Sequence, residues 1–385
     1  MPVLKPRDAA LIANTAYGVT NQPDMKRVLM ELRKKGTGLE DKFAVDDQSR
    51  FLGISGFHGF TQSTGFGFAA KGTNQYRDEV LIAIRGTQTR YDFITDGRFG
   101  LDRGPGGHLV HLGFNHTANS FIGELRDFLR NNNPSHIHFV GHSLGGALAS
   151  LGASYLHQEK AAKISLYTFG APRVGLAPFN LSTTRLLSAD NIFRVYHDCD
   201  PVSMIPIFPY YHLPMPGEIC CLKWPNGRIS VEAHDRQHYL KSLGDAGWRA
   251  IKSKPVPVDW ETRIERWLDS DGTAGDSMFS AARLWMITKA LMWIIEEVAP
   301  KASIVLTANL TLLDHMAMLL YQGVLTSQRI AHYMRSLIRK TMEFLGRKMA
   351  EGVKLTVQFI RWVLDLLYAA LRTMVQRALD NLQAA

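Results

Sequence analysis

A serine between two glycines is the first feature of the chain that could do chemistry. Gly141, Ser143 and Gly145 form a Gly-x-Ser-x-Gly pattern within the stretch HIHFVGHSLGGALAS. The pattern alone says little, but an apolar run from His136 to Val140 precedes it and a small-residue, helix-forming run follows it. A strand, a sharp turn and a helix in that order form a nucleophile elbow, whose strained turn exposes the serine hydroxyl. The context therefore predicts that Ser143 is a nucleophile.

A serine of this kind needs a general base and an acid that orients the base. In enzymes with such an elbow the acid follows the serine in the chain, and the histidine follows the acid. The acid is expected just beyond a later strand, where Asp198 and Asp200 both follow the apolar run Ile192 to Tyr196. This pattern leaves the two aspartates open. The candidate bases are the histidines that come after Asp200, namely His212, His234, His238, His315 and His332.

Acyl transfer also needs two backbone N–H groups that face the developing oxyanion. Leu144, the residue after the nucleophile, supplies one of them. The stretch VLIAIRGTQT places Gly86 and Thr87 at a turn after an earlier apolar run, where the second donor is expected. This chemistry requires no cofactor and no metal. We expect neither, because the three cysteines lack zinc-site spacing and the stretch DSDGTAGD lacks the glutamate of a calcium loop.

The elements that would position these residues alternate along the chain. Short β-branched or aromatic runs end at Gly, Asp or Pro, and helix-like segments such as Thr117 to Arg130 and Leu144 to His157 lie between them. This alternation predicts an α/β fold with a mostly parallel central sheet that is covered on both faces. The predicted strands are Val80 to Ile84, His136 to Val140, Ile164 to Thr168 and Ile192 to Tyr196.

The strand pattern disappears after a proline-containing connector near residues 252–260. We predict an α/β domain over residues 1–255 and an all-helical domain over 256–385, which forms a bundle or a cap, or faces lipid. The helices of the second domain are predicted at about 278–298, 301–322, 326–351 and 353–381.

Charge is distributed unevenly along the 385 residues, whose net charge is +9. From Asp276 onward, the chain contains thirteen Lys and Arg residues but only eight Asp and Glu residues. A basic helical region suits an anionic membrane surface, and no nucleic-acid motif accompanies it. Asp8 interrupts the N-terminal apolar run and is interpreted as a helix N-cap, so we expect no cleaved signal peptide and a cytoplasmic location in the producing cell.

With these motifs in order, the chain from about Val80 to Leu240 resembles the class 3 lipases, the fungal-type triacylglycerol lipase family of α/β hydrolases. The motifs GHSLGGALA, VLIAIRGT, YTFGAPRVG and RVYHDCDPVSMIP carry the resemblance. It implies that Asp200 is the acid, because Asp200 directly precedes a Pro-Val pair, and that Thr87 is an oxyanion donor. It also implies a lid at about Gln88 to Gly107.

The resemblance further implies that His234 is the base, because the family places its histidine a few residues before a Tyr-Leu pair. His238 fits that spacing less well, and His212 matches a histidine that is structural in the family. The helical region from 256 onward lies outside the resemblance.

The implied activity is that of a serine-dependent lipid ester hydrolase, a lipase or a phospholipase A1-like enzyme, with a membrane surface as its site of action. A sharper hypothesis is an antibacterial effector that is exported without a cleaved signal peptide and has a protein inhibitor or a secretion partner. The alternative is a lipase-like scaffold without activity, whose helical half binds a partner protein or a membrane. The implied site residues are the triad Ser143, Asp200 and His234 with the oxyanion donors Thr87 and Leu144.

Overall fold

Ten strands and eleven α-helices make up the described part of the chain in a computed structural model. The structure describes residues 3–19, 41–46, 49–55, 62–86, 100–158, 162–207, 209–252, 259–270, 278–299 and 311–384. The strands are β1 (Phe43–Ala44), β2 (Arg50–Ser55), β3 (Gln62–Gly72), β4 (Glu79–Ile84), β5 (Leu101–Arg103), β6 (Leu109–His111), β7 (His136–His142), β8 (Lys163–Phe169), β9 (Ile192–His197) and β10 (Cys220–Leu222). The helices are α1 (Pro6–Thr15), α2 (Leu112–Asn132), α3 (Leu144–His157), α4 (Ala177–Leu187), α5 (Arg236–Leu243), α6 (Trp248–Ile251), α7 (Trp260–Asp269), α8 (Ala281–Val298), α9 (Leu312–Thr326), α10 (Gln328–Phe344) and α11 (Val357–Ala384).

An eight-stranded sheet forms the centre of the fold. Its strand order is β1-β3-β4-β7-β8-β9-β10, and β2 also pairs with β3. The five strands from β4 to β10 in this order are parallel, whereas β1, β2 and β3 are antiparallel to their neighbours. The predicted α/β-hydrolase fold with a mostly parallel sheet is therefore confirmed. The carboxyl ends of the parallel strands lie at one edge, where such folds place their sites.

Helices cover both faces of the sheet because the side chains of each strand alternate between the faces. In β7, Ile137 and Phe139 join the apolar cluster that includes residues of α2 and α3. Val140 joins the cluster on the other face, which includes residues of α1 and α5. Every residue of β7 is buried. The strand that leads to Ser143 is thus fixed from both sides.

The helices α7 to α11 follow the sheet and pack onto the α/β part. Their apolar residues belong to the same continuous cluster as the sheet face that α2 and α3 cover; Ile205 after β9 and Leu364 of α11 are both members. The helix α11 also packs against the 3-10 turn Val231–His234. The proposed domain boundary at 255/256 lies in residues 253–258, outside the described residues, and stays a prediction. Among the helices that the structure describes, none combines the length and apolarity that a bilayer crossing requires.

Two expectations need correction or restriction. The helix α1 begins at Pro6, so Asp8 lies in its first turn and is not the N-cap; its carboxylate instead pairs with Lys42 Nζ at 3.0 Å. Proline fixes a helical φ and has no N–H to satisfy, which makes it a good first residue. The proposed lid Gln88 to Gly107 lies mostly outside the described residues, and its later part forms β5, which pairs with β6.

Candidate active site

Ser143 lies on the sharp turn between β7 and α3. Its backbone has φ 59° and ψ −133°, a strained conformation for a residue with a side chain. The flanking glycines allow it: a Cβ on Gly141 would lie 2.2 Å from the Gly145 carbonyl oxygen, and one on Gly145 would lie 2.2 Å from that of Ile84. The Ser143 N–H donates to the Phe169 carbonyl at 2.9 Å. The sequence therefore forms the predicted elbow, with the backbones of two strands and a helix in close approach.

His234 bridges Ser143 and Asp200. Its Nε2 lies 2.9 Å from Ser143 Oγ, and its Nδ1 lies 2.9 Å from Asp200 Oδ2. All three side chains have 0% exposed surface. Because an ionised carboxylate only accepts hydrogen bonds, Nδ1 carries the proton and Nε2 is free to accept one from the serine hydroxyl. The structure thus brings the three predicted triad residues together in the order that acyl transfer requires.

The carboxylate of Asp200 receives two further hydrogen bonds. The N–H of Val202 donates to Oδ1 at 2.8 Å, and the hydroxyl of Tyr239 donates to Oδ2 at 2.7 Å. Tyr239 is itself fixed, since its Oη accepts from the His197 N–H at 3.1 Å. Burial, followed by the negative charge of Asp200, raises the pKa of Tyr239 well above its ordinary value, so it stays a donor. Both carboxylate oxygens of Asp200 are therefore hydrogen-bonded.

A second histidine supports the turn that carries His234. The Nε2 of His142 lies 2.9 Å from the His234 carbonyl oxygen, so this nitrogen is the donor. Its Nδ1 then accepts from the Tyr17 hydroxyl at 2.9 Å. Burial, followed by the charge of His234, lowers the pKa of His142 well below its ordinary value. His142 is therefore neutral and acts as a fixed link between the N-terminal segment and the base.

Gly170, at the end of β8, leaves the space in which the triad meets. A Cβ at this position would lie 2.6 Å from Asp200 Oδ2, 2.9 Å from Tyr239 Oη and 3.0 Å from His234 Nδ1. The residue also has φ +55°, a conformation that favours glycine. Both the space and the backbone therefore require glycine here.

The turn after β4, where the oxyanion donor Thr87 is predicted, lies next to Ser143 as far as Gly86, the last residue described before residue 100. A Cβ on Gly86 would lie 3.1 Å from Ser143 Cβ and 3.0 Å from the His142 carbonyl oxygen. Arg85 is buried and holds this turn by donating to the Gly65 and Gly86 carbonyl oxygens. Burial lowers the pKa of Arg85 to about 10, which leaves it charged at neutral pH. Leu144 follows the nucleophile at the start of α3, whereas Thr87 lies outside the described residues.

The competing candidates lie elsewhere. Asp198 accepts from the Trp224 N–H at 2.9 Å and pairs with Lys223 at 3.1 Å. His212 Nε2 lies 2.8 Å from the Ser203 carbonyl oxygen, and the ring of His238 stacks on Trp224 with centroids 5.2 Å apart. In the helical region, His315 contacts its own helix start and His332 contacts a carboxylate of α7.

Three positioning residues were not predicted, namely Tyr17, His142 and Tyr239. Tyr17 and His142 follow apolar residues, so the sequence alone favours a core position for them, whereas Tyr239 lies in the polar stretch HDRQHYLKS, which gives no sign of its burial. In the sequence, Tyr239 is only part of the Tyr-Leu pair that follows His234. The one signal in the sequence is that a buried Tyr or His needs a hydrogen-bond partner for its polar atoms, and such a partner can be a residue of the site.

A separate polar cluster lies at the opposite edge of the sheet, where β4 and β7 begin. Glu79 Oε2 lies 2.5 Å from His138 Nε2 and 3.2 Å from His136 Nδ1. The three residues are buried, and their ligand-type atoms lie within 4.8 Å of one another, as metal ligands can. The short contact between Glu79 and His138 also satisfies both groups without an ion. The triad itself needs no metal for acyl transfer.

In a comparison with known proteins, residues 81–210 match the family model described as lipase (class 3). A secreted mono- and diacylglycerol lipase A of Penicillium cyclopium is 32% identical over 210 residues, which cover 52% of this chain and 65% of that protein. The chloroplastic phospholipase A(1) DAD1 of Arabidopsis thaliana is 27% identical over 156 residues, covering 34% of each. The nonglycosylated LIP2 lipase structure of Yarrowia lipolytica has 22% identity and a TM-score of 0.42, covering 57% of this chain and 79% of that one. The chain spans between 46% and 65% of the length of the fungal lipases first matched.

Proposed function

We propose that the protein is a serine-dependent hydrolase of lipid esters, because residues 81–210 match the family model described as lipase (class 3). The observation that carries the proposal is the position of His234, which lies 2.9 Å from both Ser143 Oγ and Asp200 Oδ2. A nucleophile, a base and an orienting acid in contact form the minimum apparatus for acyl transfer through an acyl-enzyme.

In the proposed reaction, Ser143 Oγ attacks the ester carbonyl carbon while His234 Nε2 accepts the hydroxyl proton. The tetrahedral intermediate collapses, the C–O bond to the alcohol breaks, and His234 returns its proton to the leaving oxygen. Water then attacks the acyl-enzyme, with His234 again as the base, and the fatty acid leaves. Asp200 holds the imidazole in the tautomer that these steps need.

In the proposed reaction, the turn after β4 helps to stabilise the developing oxyanion. We assign its two donors to the N–H groups of Leu144 and Thr87. A donor of this kind contributes about 3–4 kcal/mol of transition-state stabilisation. The close approach of Gly86 to Ser143 supports the assignment, because it brings the chain that leads into Thr87 next to the nucleophile.

The proposed substrates are glycerolipids, either mono- and diacylglycerols or phospholipids. The fungal relative is a mono- and diacylglycerol lipase and the plant relative is a phospholipase A(1), which supports both classes. We propose that the site works at a membrane surface. Basic residues outnumber acidic ones from Asp276 onward, and large apolar side chains of the helical region are exposed, with Trp285 at 41%, Leu325 at 61% and Trp362 at 42%.

The test is hydrolysis of a p-nitrophenyl ester and of phospholipid and diacylglycerol vesicles by the wild type, Ser143→Ala and His234→Ala. We expect both variants to lose activity on every substrate, because removing one member of a triad costs about as much as removing all of it. A matched control is His238→Ala, whose ring stacks on Trp224 and not on the triad. Full activity in Ser143→Ala would contradict the proposal.

The scaffold alternative and the effector hypothesis make different predictions. A scaffold without activity would hydrolyse none of these substrates and would not react with a serine-directed phosphonate. An exported effector would inhibit growth when directed to the bacterial periplasm, and Ser143→Ala would remove that toxicity. A protein inhibitor from the same cell would restore growth and would reduce ester hydrolysis by the purified enzyme.

A further inference from the structure

A cavity of about 270 Å³ lies between β9, the loop that follows β9, and α8. Its walls come from both parts of the chain, with Arg194 and Met204 on one side and Trp285 and Lys289 on the other. A water in the liquid takes up roughly 30 Å³, so the cavity has room for an ion larger than chloride. None of Ser143, Asp200 and His234 lines this cavity, so the proposed hydrolysis does not account for it.

Three cationic side chains line this cavity. Arg194 is 7% exposed, and its guanidinium carbon lies 3.9 Å from the centroid of the Tyr196 ring. Its Nε is buried without a hydrogen-bond partner in the described part of the chain. Arg173 donates only to neutral acceptors there, the carbonyl oxygens of Met204 and Pro206. The Lys289 ammonium lies over an aromatic ring, 5.8 Å from the centroid of Trp285.

The nearby carboxylates are engaged by other groups. Asp198, which also lines the cavity, pairs with Lys223 at 3.1 Å and accepts from the Trp224 N–H. Glu296 of α8 accepts from the Tyr211 hydroxyl at 3.2 Å. Among the described residues, Arg173, Arg194 and Lys289 have no carboxylate within salt-bridge distance. Arg194 is thus a buried cation without a paired carboxylate, which is costly, and a bound anion would remove that cost.

Repulsion between neighbouring cations lowers the pKa of two of these side chains. Burial, followed by the charge of Arg194, lowers the pKa of Arg173 to about 10. Burial, followed by the charge of Arg173, lowers the pKa of Lys289, although the charge of Glu296 acts in the opposite direction. His212 is affected in the same way, because burial and then the charges of Arg194 and Arg173 hold its pKa well below the ordinary value. The positive charge of the cavity is therefore concentrated on the two guanidinium groups and the ammonium.

We propose that this cavity binds a phosphate group, carried either by a small phosphate ester or by a lipid headgroup. Planar guanidinium groups bind phosphate oxygens through paired hydrogen bonds, and lysine adds a compact charge. The hydroxyls of Tyr211 and Ser203 on the wall already donate to Glu296 and to the Asp200 carbonyl oxygen, so the three cations supply the donors for the phosphate. Phosphate binding in this cavity does not depend on the proposed ester hydrolysis.

An occupied cavity would connect the helical region to the loop that carries the acid of the triad. Ser203 Oγ donates to the Asp200 carbonyl oxygen at 2.9 Å, and the Ser203 carbonyl lies 2.8 Å from His212 Nε2. Lys289 belongs to α8, whereas Arg194 belongs to β9. A phosphate that contacts both would hold α8 against the α/β part.

The test uses the full chain with Ser143→Ala, so that no lipid is consumed. Isothermal titration calorimetry measures binding of inorganic phosphate and of glycerol 3-phosphate at an ionic strength held constant with potassium chloride. We expect saturable binding of at least one of them, which Arg194→Gln and Lys289→Gln each weaken at least tenfold. Arg249→Gln, which removes an exposed arginine outside the cavity, should leave the Kd unchanged. Circular dichroism identifies a variant that does not fold, and the partly exposed Lys289 then decides the question.

A vesicle arm separates the two sources of phosphate. Co-sedimentation with phosphatidylglycerol vesicles is compared with vesicles whose negative charge comes from oleate. Binding that prefers phosphatidylglycerol and depends on Arg194 identifies a lipid headgroup, whereas Arg194-dependent binding of the soluble phosphates alone identifies a small ester. Absence of binding to all phosphate-bearing probes, or a Kd within twofold of the parent protein in both cavity variants, would overturn the proposal.

Discussion

The hydroxyl of Tyr239 donates a 2.7 Å hydrogen bond to Oδ2 of Asp200, the same oxygen that faces His234 Nδ1. Two donors therefore share one carboxylate oxygen, while the Val202 N–H satisfies the other. The tyrosine belongs to α5, which begins directly after the turn that carries His234. One short segment thus supplies both the proposed base and a residue that contacts the proposed acid.

Tyr239→Phe should reduce the activity without removing it. A hydrogen bond to a charged group is worth about 1.5–3 kcal/mol. If most of this free energy stabilises the transition state, kcat/KM for a soluble ester falls about 10- to 100-fold, because a loss of 1.36 kcal/mol lowers the rate tenfold. Tyr321→Phe, in α9, is the control and should leave kcat/KM unchanged; an unchanged kcat/KM in Tyr239→Phe would contradict the assigned role.

Gly170→Ala should impair both the triad and the stability of the fold. The new Cβ would lie 2.6 Å from Asp200 Oδ2, and the backbone has φ +55°. A left-handed conformation costs a non-glycine residue about 1–2 kcal/mol. Gly227→Ala separates the two effects, because Gly227 has φ +61° with no atom within 4 Å of an added Cβ. We expect both variants to lose free energy of unfolding in urea, Gly170→Ala more than Gly227→Ala because of the added clash, and a loss of ester hydrolysis confined to Gly170→Ala.

Acid should destabilise the protein partly through His111. Burial lowers the pKa of this histidine from 6.5 to about 4. Between these values the unfolded chain binds a proton that the folded protein does not, so the free energy of unfolding falls as the pH falls, by about 1.4 kcal/mol per pH unit. His111→Asn keeps an N-cap for α2 and removes this titration. Urea unfolding between pH 7 and 4 should show a shallower decline for His111→Asn than for the wild type or His157→Asn; parallel curves would contradict the assignment.

Access to Ser143 should depend on a lipid surface. The triad has no exposed surface, and α11 packs against the turn that carries His234. We therefore expect slow labelling of Ser143 by a soluble phosphonate, and labelling at least tenfold faster at saturating vesicle concentration. Ser143→Ala controls for labelling at other residues. Equal rates with and without vesicles would show that the buried site is open in solution.

The elbow and its partners could be predicted because their chemistry constrains residue type and order. The glycines around Ser143 are required by backbone approaches near 2 Å, so the letters of the motif report geometry directly. Asp200 and His234 follow from chain order together with the family resemblance. The helix α3 was predicted with its observed bounds, because small apolar residues form an uninterrupted helical run between Leu144 and His157.

The remainder depends on tertiary contacts that the sequence pattern does not encode. Tyr17 and Tyr239 are buried like core residues, and their role depends on one hydroxyl that reaches a partner far along the chain. The antiparallel strand β3 is rich in glycine, which lowers the strand signal, and it was not predicted. The cavity at α8 could not be predicted either, since Arg194 and Lys289 meet only after the helical region packs on the sheet.

The most direct test of the account is mass spectrometry of the lipids released from mixed phospholipid and diacylglycerol vesicles, with the wild type and Ser143→Ala compared at equal protein concentration. Hydrolysis through Ser143 predicts free fatty acid and the matching lysolipid or monoacylglycerol with the wild type, and a decrease in these products of about 10³-fold or more with Ser143→Ala. Product formation that persists in Ser143→Ala, or a folded wild type that releases no fatty acid from either lipid, would contradict it.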